Sequence, residues 1–212
     1  MQIKICGLTT LADALAALDA GADYLGFNFY PKSPRYLTPD ACAAITAEVR
    51  RRSSTVRLVG IFVNEPPARV AALLAQAGLD LAQLHGAETP EDLPALAGRA
   101  FKAFRGLGEQ HAEFADAGPG APAFLVDAYS AVLYGGTGRT ADWPGARALA
   151  AHYPLFLAGG LTPDNVADAI AQARPWGVDV ASGVESAPGR KDHAKVSAFI
   201  ESARRAGAQL SS

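Results

Sequence analysis

Short apolar runs alternate along this chain with Ala- and Leu-rich segments of helical spacing, and glycine or polar breaks separate them. The apolar runs fall at 2–6 (QIKIC), 23–29 (DYLGFNF), 56–63 (VRLVGIFV), 81–85 (LAQLH), 99–104 (RAFKAF), 123–128 (AFLVDA), 154–158 (PLFLA) and 177–181 (GVDVA). Helical patterns lie between and after them, at about 11–20, 39–52, 66–77, 90–97, 109–117, 143–151, 163–173 and 192–205. Three share one start signal. Thr38-Pro39-Asp40, Thr89-Pro90-Glu91 and Thr162-Pro163-Asp164 each offer a threonine cap, a proline at the first helical position and an acid near the positive helix end. Eight strand–helix units without a linker predict an α/β fold, a single-domain (β/α)8 TIM barrel over residues 1–212. An open doubly wound sheet is the alternative, because periodicity does not prove closure.

In a barrel strand alternate residues face the helix layer and the packed interior, and active sites form where the strands end. Ile3 and Ile5 then face the helices, Lys4 and Cys6 point inward, and Gly7 lets the chain turn away at the rim. On the sixth strand Phe124 and Val126 go outward, leaving Leu125 and Asp127 inside. Strand four brings Gln83 and His85 to the same mouth, strand two brings Gly26 and Asn28, and strand eight turns Asp179 inward beside strand one. Lys4 and Asp179 are expected to pair within the barrel. Each polar position has a plain structural reading beside the functional one: a small strand cysteine is often just core, and Cys42, at helical spacing with Ile45 and Val49, is read that way. A carboxylate closing an apolar strand, as Asp127 does, must be hydrogen-bonded, paired or functional.

Composition narrows the partners. The 212 residues are 50% hydrophobic and 19% charged with a formal net charge of −2, as in ordinary globular proteins. Nucleic acid and anionic membrane would require a concentrated basic surface, so neither is expected as a partner. The N-terminus enters a strand pattern without a signal-peptide signature, and no apolar run is long enough to span a bilayer, so a cytoplasmic protein is expected. Two cysteines without ligand spacing predict reduced thiols, no disulfide framework and no metal site. A monomer is the default and a dimer the alternative.

Two loops suggest a phosphorylated ligand. The segment LAGGLTPDN (157–165) follows strand seven and ASGVE (181–185) follows strand eight, where barrels commonly hold phosphate with backbone N–H groups. Gly159, Gly160 and Gly183 allow close approach and Ser182 adds a hydroxyl; the plain reading is that the glycines only make turns. Neither loop is a P-loop, and GGTG (135–138) is not a dinucleotide fingerprint, so no nucleotide cofactor is expected. The stiff segment YPKSPRYLTPD (30–40) carries Lys32 and Arg35; it suits bidentate capture of a carboxylate, or is a solvated basic loop.

Taken together, KICGL (4–8), GFNFYPKSPR (26–35), QLHG (83–86), LVDA (125–128), GGTG (135–138), LAGGLTPDNV (157–166) and DVASGVE (179–185) resemble the phosphoribosylanthranilate isomerase family of tryptophan biosynthesis. The resemblance runs through nearly the whole chain in order. It implies a (β/α)8 barrel that carries out a cofactor-free Amadori rearrangement of N-(5-phosphoribosyl)anthranilate. By the same resemblance Cys6 matches the general base, Asp127 the general acid and Arg35 the residue that engages the anthranilate carboxylate. Ala181 stands where the family often has serine, which removes a hydroxyl near the phosphate loop, and Asn28 where the family is more often apolar.

The chemistry asks for these groups. Asp127 must start protonated to open the aminated ribose, and Cys6 must be a thiolate to remove the C2 proton, which Lys4 and the phosphate-loop dipoles are expected to favour. Gln83 and His85 are expected to touch the substrate. Two other readings are a non-catalytic barrel that binds sugar phosphates and an isomerase of the related histidine-pathway reaction. The latter resembles a duplicated half-barrel with aspartates in both catalytic positions, unlike Cys6 here.

Overall fold

The computed structural model describes residues 1–107, 112–115, 121–127 and 142–210. Eight parallel strands, β1 (Gln2–Ile5), β2 (Tyr24–Asn28), β3 (Arg57–Phe62), β4 (Leu81–Leu84), β5 (Ala100–Arg105), β6 (Phe124–Asp127), β7 (Leu155–Ala158) and β8 (Gly177–Val180), close into a barrel in sequence order. Closure is made by β8 against β1, with Gln2 opposite Gly177 and Ile5 opposite Val180. Seven of the strands sit within the predicted runs, β5 passes the end of its run by one residue at Arg105, and the open sheet is excluded.

The period-2 alternation sorts the side chains into two cores. Outward residues such as Ile3, Ile5, Phe124 and Val126 join helix residues Ala14, Ala17, Val49, Val70, Ile170 and Phe199 in one continuous apolar layer, with Cys42 buried there as expected. Burying each large side chain of this kind contributes about 1.5–3 kcal/mol, so the layer dominates the stabilisation. The inward set is smaller and fills the N-terminal end: Tyr24, Phe101, Leu125 and Phe156 cluster there, with Trp176 packed against them. The Tyr24 and Phe156 rings meet edge-on at 5.1 Å, and Phe156 meets Trp176 at 5.2 Å. Aromatic rings plug the bottom of the barrel interior, below a cavity at its C-terminal mouth.

The helices are α1 (Leu11–Asp19), α2 (Pro39–Arg52), α3 (Pro67–Gln76), α4 (Trp143–Ala150), α5 (Val166–Ala173) and α6 (His193–Gln209). Of the three Thr-Pro-acid starts only the first caps an α-helix: Thr38 accepts from the Ala41 N–H with Pro39 just inside. At 90–97 the predicted helix is two 3₁₀ turns, Pro90–Asp92 and Pro94–Leu96, ended by Ala97 and Gly98 at positive φ. Pro94 lacks the N–H that an α-helix interior requires. At Thr162 the helix starts late, at Val166, because Asn165 folds back: its Oδ1 accepts from the Thr162 N–H and its Nδ2 donates to the Gly160 carbonyl. Within 109–117 the described residues hold one 3₁₀ turn, Ala112–Phe114. Ala128 and the 135–138 glycine segment lie outside the described residues.

One element had no counterpart in the periodicity. Strands β9 (Glu185–Ala187) and β10 (Arg190–Lys191) pair antiparallel between β8 and α6. The hairpin is tied to the start of α1: the Thr9 hydroxyl donates to the Gly189 carbonyl at 2.5 Å, and the Lys191 N–H donates to Asp13 Oδ2 at 3.2 Å. Among the described residues no helix is long and apolar enough to cross a membrane.

Candidate active site

At the C-terminal mouth lies a cavity of about 210 Å³. Cys6 and Gly7 from just past β1, Asn28 from β2, Gln83 from β4 and His85 just past it, and Asp127 from β6 line it, with Gly159, Gly160, Ser182 and Gly183 from the loops after β7 and β8. Arg35, from the loop after β2, completes the wall. Every residue singled out from the sequence as catalytic, substrate-contacting or phosphate-binding therefore faces one space. Lys32 is exposed on its loop and does not line it.

Asp179 also lines the cavity, and across β1 and β8 it forms the expected ion pair with Lys4, Nζ to Oδ1 at 2.8 Å, with Lys4 fully buried. Burial would lower the Lys4 pKa, but Asp179 and the neighbouring Cys6 outweigh it and the net shift is upward. Lys4 therefore stays charged, and its pairing with Asp179 corrects the reading of Cys6. Burial pushes the Cys6 thiol above its usual 9.0; Lys4 opposes that, yet Asp179 cancels part of its help. The thiol form is favoured, contrary to the expectation that Lys4 would leave a thiolate. Room for the sulfur comes from β2: a Cβ on Gly26 would sit 3.1 Å from Cys6 Sγ.

His85 is held by Gln83, whose amide Nε2 lies 3.1 Å from His85 Nδ1. With the amide donating, the ring's proton sits on Nε2. Burial, then the cations of Arg105 and Lys4, lower the His85 pKa, so the ring is a neutral donor at neutral pH. Gln83 Oε1 is buried with no hydrogen-bond partner among the described residues.

The two glycine loops touch each other. Gly159 and Gly160 both take positive φ, +97° and +63°, turning the chain after β7 sharply, while the Asn165 side chain clips the loop shut. Ser182–Val184 forms a 3₁₀ turn, and a Cβ on Gly183 would fall 1.8 Å from the Leu161 carbonyl oxygen. Only glycine lets the two backbones meet, and their closeness shapes that wall of the cavity.

Arg35 departs from expectation in its surroundings. Its loop is wound tightly, with Ser33 N–H to Tyr30 O, Tyr36 N–H to Ser33 O and Leu37 N–H to Asn28 O. The guanidinium is forked onto Glu185, Nε to Oε1 at 2.8 Å and Nη2 to Oε2 at 2.7 Å. Glu185 also accepts from Lys191 Nζ at 2.9 Å, and that ammonium donates to the Ala181 carbonyl at 2.9 Å. Burial would raise the Glu185 pKa, but the hydrogen bonds from Arg35 and Lys191 pull it below its usual 4.5. Glu185 and Lys191 were missed from the sequence; the acid lies inside the quoted ASGVE stretch, but only the hairpin brings it to Arg35. Among the described residues no group of three His, Cys, Asp or Glu side chains is arranged to hold a metal ion.

The family profile described as N-(5'phosphoribosyl)anthranilate (PRA) isomerase matches residues 3–202. A protein of Geobacter sulfurreducens named N-(5'-phosphoribosyl)anthranilate isomerase is 48% identical over 208 residues, covering 96% of this chain and 98% of its own. The crystal structure of phosphoribosyl anthranilate isomerase from Thermotoga maritima superposes with a TM-score of 0.84 at 38% identity, covering 97% of this chain and 99% of its own. Another solved structure, of a phosphoribosyl anthranilate isomerase in complex with reduced 1-(o-carboxyphenylamino)-1-deoxyribulose 5-phosphate, has a TM-score of 0.81 at 36% identity, with the same coverages of 97% and 99%.

Proposed function

Because the chain belongs to the N-(5'-phosphoribosyl)anthranilate isomerase family, we propose that Cys6 and Asp127 are the base and acid of its rearrangement. The enzyme is an isomerase of tryptophan biosynthesis that converts N-(5-phosphoribosyl)anthranilate to 1-(2-carboxyphenylamino)-1-deoxyribulose 5-phosphate. In our reading Asp127 gives a proton to the furanose oxygen as the C1–O bond breaks, leaving a Schiff base to the anthranilate nitrogen. Cys6, as thiolate, then removes the C2 proton. The enolamine gains a proton at C1 and loses one from the C2 hydroxyl, which yields the ketone with no net change in atoms.

Burial makes the Cys6 thiolate the minor species, but a base with a raised pKa is also a stronger one. Gly159, Gly160, Ser182 and Gly183 hold the phosphate with N–H and hydroxyl donors, and Arg35 meets the carboxylate at the other wall. Gln83 and His85 touch the sugar between these anchors. Stretching the substrate between two fixed ends supplies much of the acceleration by positioning. All these groups come from one barrel, so the reading needs one catalytic domain; we read the protein as a monomer, with a dimer as the alternative, acting in the cytoplasm.

The observation that carries this reading is that acid, base, arginine and both glycine loops line the same 210 Å³ cavity. The test follows the decay of anthranilate-type fluorescence when purified protein meets phosphoribosylanthranilate made in situ. Cys6→Ala and Asp127→Asn should each stay folded and cut turnover by about two to four orders of magnitude. Near-normal turnover in either variant would remove that residue from its role, and no decay with the unaltered folded protein would favour a silent sugar-phosphate-binding barrel.

A further inference from the structure

We propose that Glu185 is a positioning residue for the carboxylate anchor: it seizes one edge of the Arg35 guanidinium and turns the other toward the substrate. The proposal rests on the reading of Arg35 as that anchor. A guanidinium carries five N–H groups in a planar fork. Glu185 takes the Nε–H and one Nη2–H, and among the described residues both Nη1–H groups and the second Nη2–H have no protein acceptor. That free pair of parallel donors belongs to a side chain that lines the cavity, and it fits a second planar carboxylate.

The orientation is built from three sides. Gly7, at φ +73°, lies under the arginine stem so closely that a Cβ there would be 2.4 Å from Arg35 Cδ and 3.2 Å from Nε. The tightly wound loop after β2 fixes the backbone, and the Arg35 N–H itself donates to Ser33 Oγ at 3.1 Å. Glu185 closes the arrangement from behind, its side chain 5% exposed.

Charge balance explains why a buried acid beside the anchor does not repel an anionic ligand. Lys191, whose side chain is fully buried, pairs with the same carboxylate, so Arg35, Glu185 and Lys191 together keep one net positive charge. The hairpin carrying Glu185 and Lys191 is in turn fastened to Thr9 and to Asp13 at the start of α1, which ties the anchor to the segment between β1 and α1 that bears Cys6. A guanidinium held at one edge in this way selects for a flat acceptor pair, so it recognises the ortho-carboxylate rather than the aromatic ring alone.

The experiment measures, by titration calorimetry, binding of two probes to the unaltered enzyme and to variants. One probe is reduced 1-(2-carboxyphenylamino)-1-deoxyribulose 5-phosphate, and the other is its anilino counterpart without the carboxylate. Glu185→Gln should weaken the carboxylated probe by about ten- to a hundredfold, the span of a lost charge-assisted fork, and leave the anilino probe within about twofold. Glu185→Asp keeps the charge next to Lys191 but is too short for the fork, and should show the same selective loss if Gln disturbs folding. In the Arg35→Ala background Glu185→Gln should add nothing. Equal weakening of both probes would overturn the proposal, because it would mean that Glu185 merely supports the loop after β8. An unchanged carboxylate preference in Glu185→Gln would overturn it as well. If Arg35→Ala itself keeps the preference, the reading of Arg35 as anchor fails, a result separable from one in which Arg35 matters and Glu185 does not.

Discussion

Replacing Gly183 by alanine tests the contact that joins the two glycine loops. The new Cβ would lie 1.8 Å from the Leu161 carbonyl oxygen, where real Cβ contacts essentially never come under 3.0 Å. The obstacle is backbone, so no rotamer change relieves it; one loop must retreat by more than about an ångström, at an overpacking cost of about 1–3 kcal/mol. Those loops carry the proposed phosphate contacts, and an ångström of misplacement can cost about a hundredfold in rate, close to 2.7 kcal/mol of transition-state stabilisation. Gly183→Ala should therefore lower kcat/KM by about a hundredfold and weaken competitive inhibition by inorganic phosphate, read in the fluorescence-decay assay, while circular dichroism still shows a folded barrel. Gly21→Ala is the control: its φ of +96° brings strain, but no atom lies within 4 Å of the added Cβ and it sits at the opposite end of the barrel. A Gly183→Ala enzyme with kcat/KM within about threefold of the parent and unaltered phosphate inhibition would refute the reasoning.

Lys4→Met leaves Asp179 charged and buried without its partner, which costs about 3–5 kcal/mol and should lower Tm by roughly 6–20 °C for a domain of this size; Lys4→Met/Asp179→Leu should recover most of it, and a double variant as unstable as the single would contradict the pairing. Glu185 and Glu88 both titrate below 4.5 in the folded protein, where Arg35 with Lys191, and Lys102 with backbone N–H groups, outweigh their burial. The unfolded chain then binds more protons, so the stability they contribute is present above about pH 4.5 and is lost as pH falls through the lower folded values. Urea midpoints measured from pH 7 to pH 3 should fall, and should fall less steeply in Glu88→Gln. Alkylation of Cys6 by iodoacetamide should be slow at pH 7 and climb about tenfold per unit through pH 9, since burial holds the thiol above 9.0 and Cys42 is held at about 12; a rate that levels off below pH 8 would show a stabilised thiolate instead.

What the sequence revealed and what it hid divide along a physical line. Strand positions, barrel closure order and the inward set were readable because period-2 alternation is local, and knowing that Lys4 and Asp179 both point inward on the two strands that close the barrel was enough to pair them. The helix at 90–97 was misread because apolar spacing outvoted Pro94, and the start at Thr162 because Asn165, three residues on, competes for the same backbone groups. The Arg35–Glu185 fork spans 150 residues and depends on a hairpin of five strand residues that has almost no periodic signature. The state of Cys6 was hidden for a different reason. From sequence, a lysine two positions away argues for thiolate; in the fold that lysine is already neutralised by Asp179, and burial then decides. Local pattern therefore locates the catalytic groups, whereas their charge states are set by partners that only the closed barrel supplies.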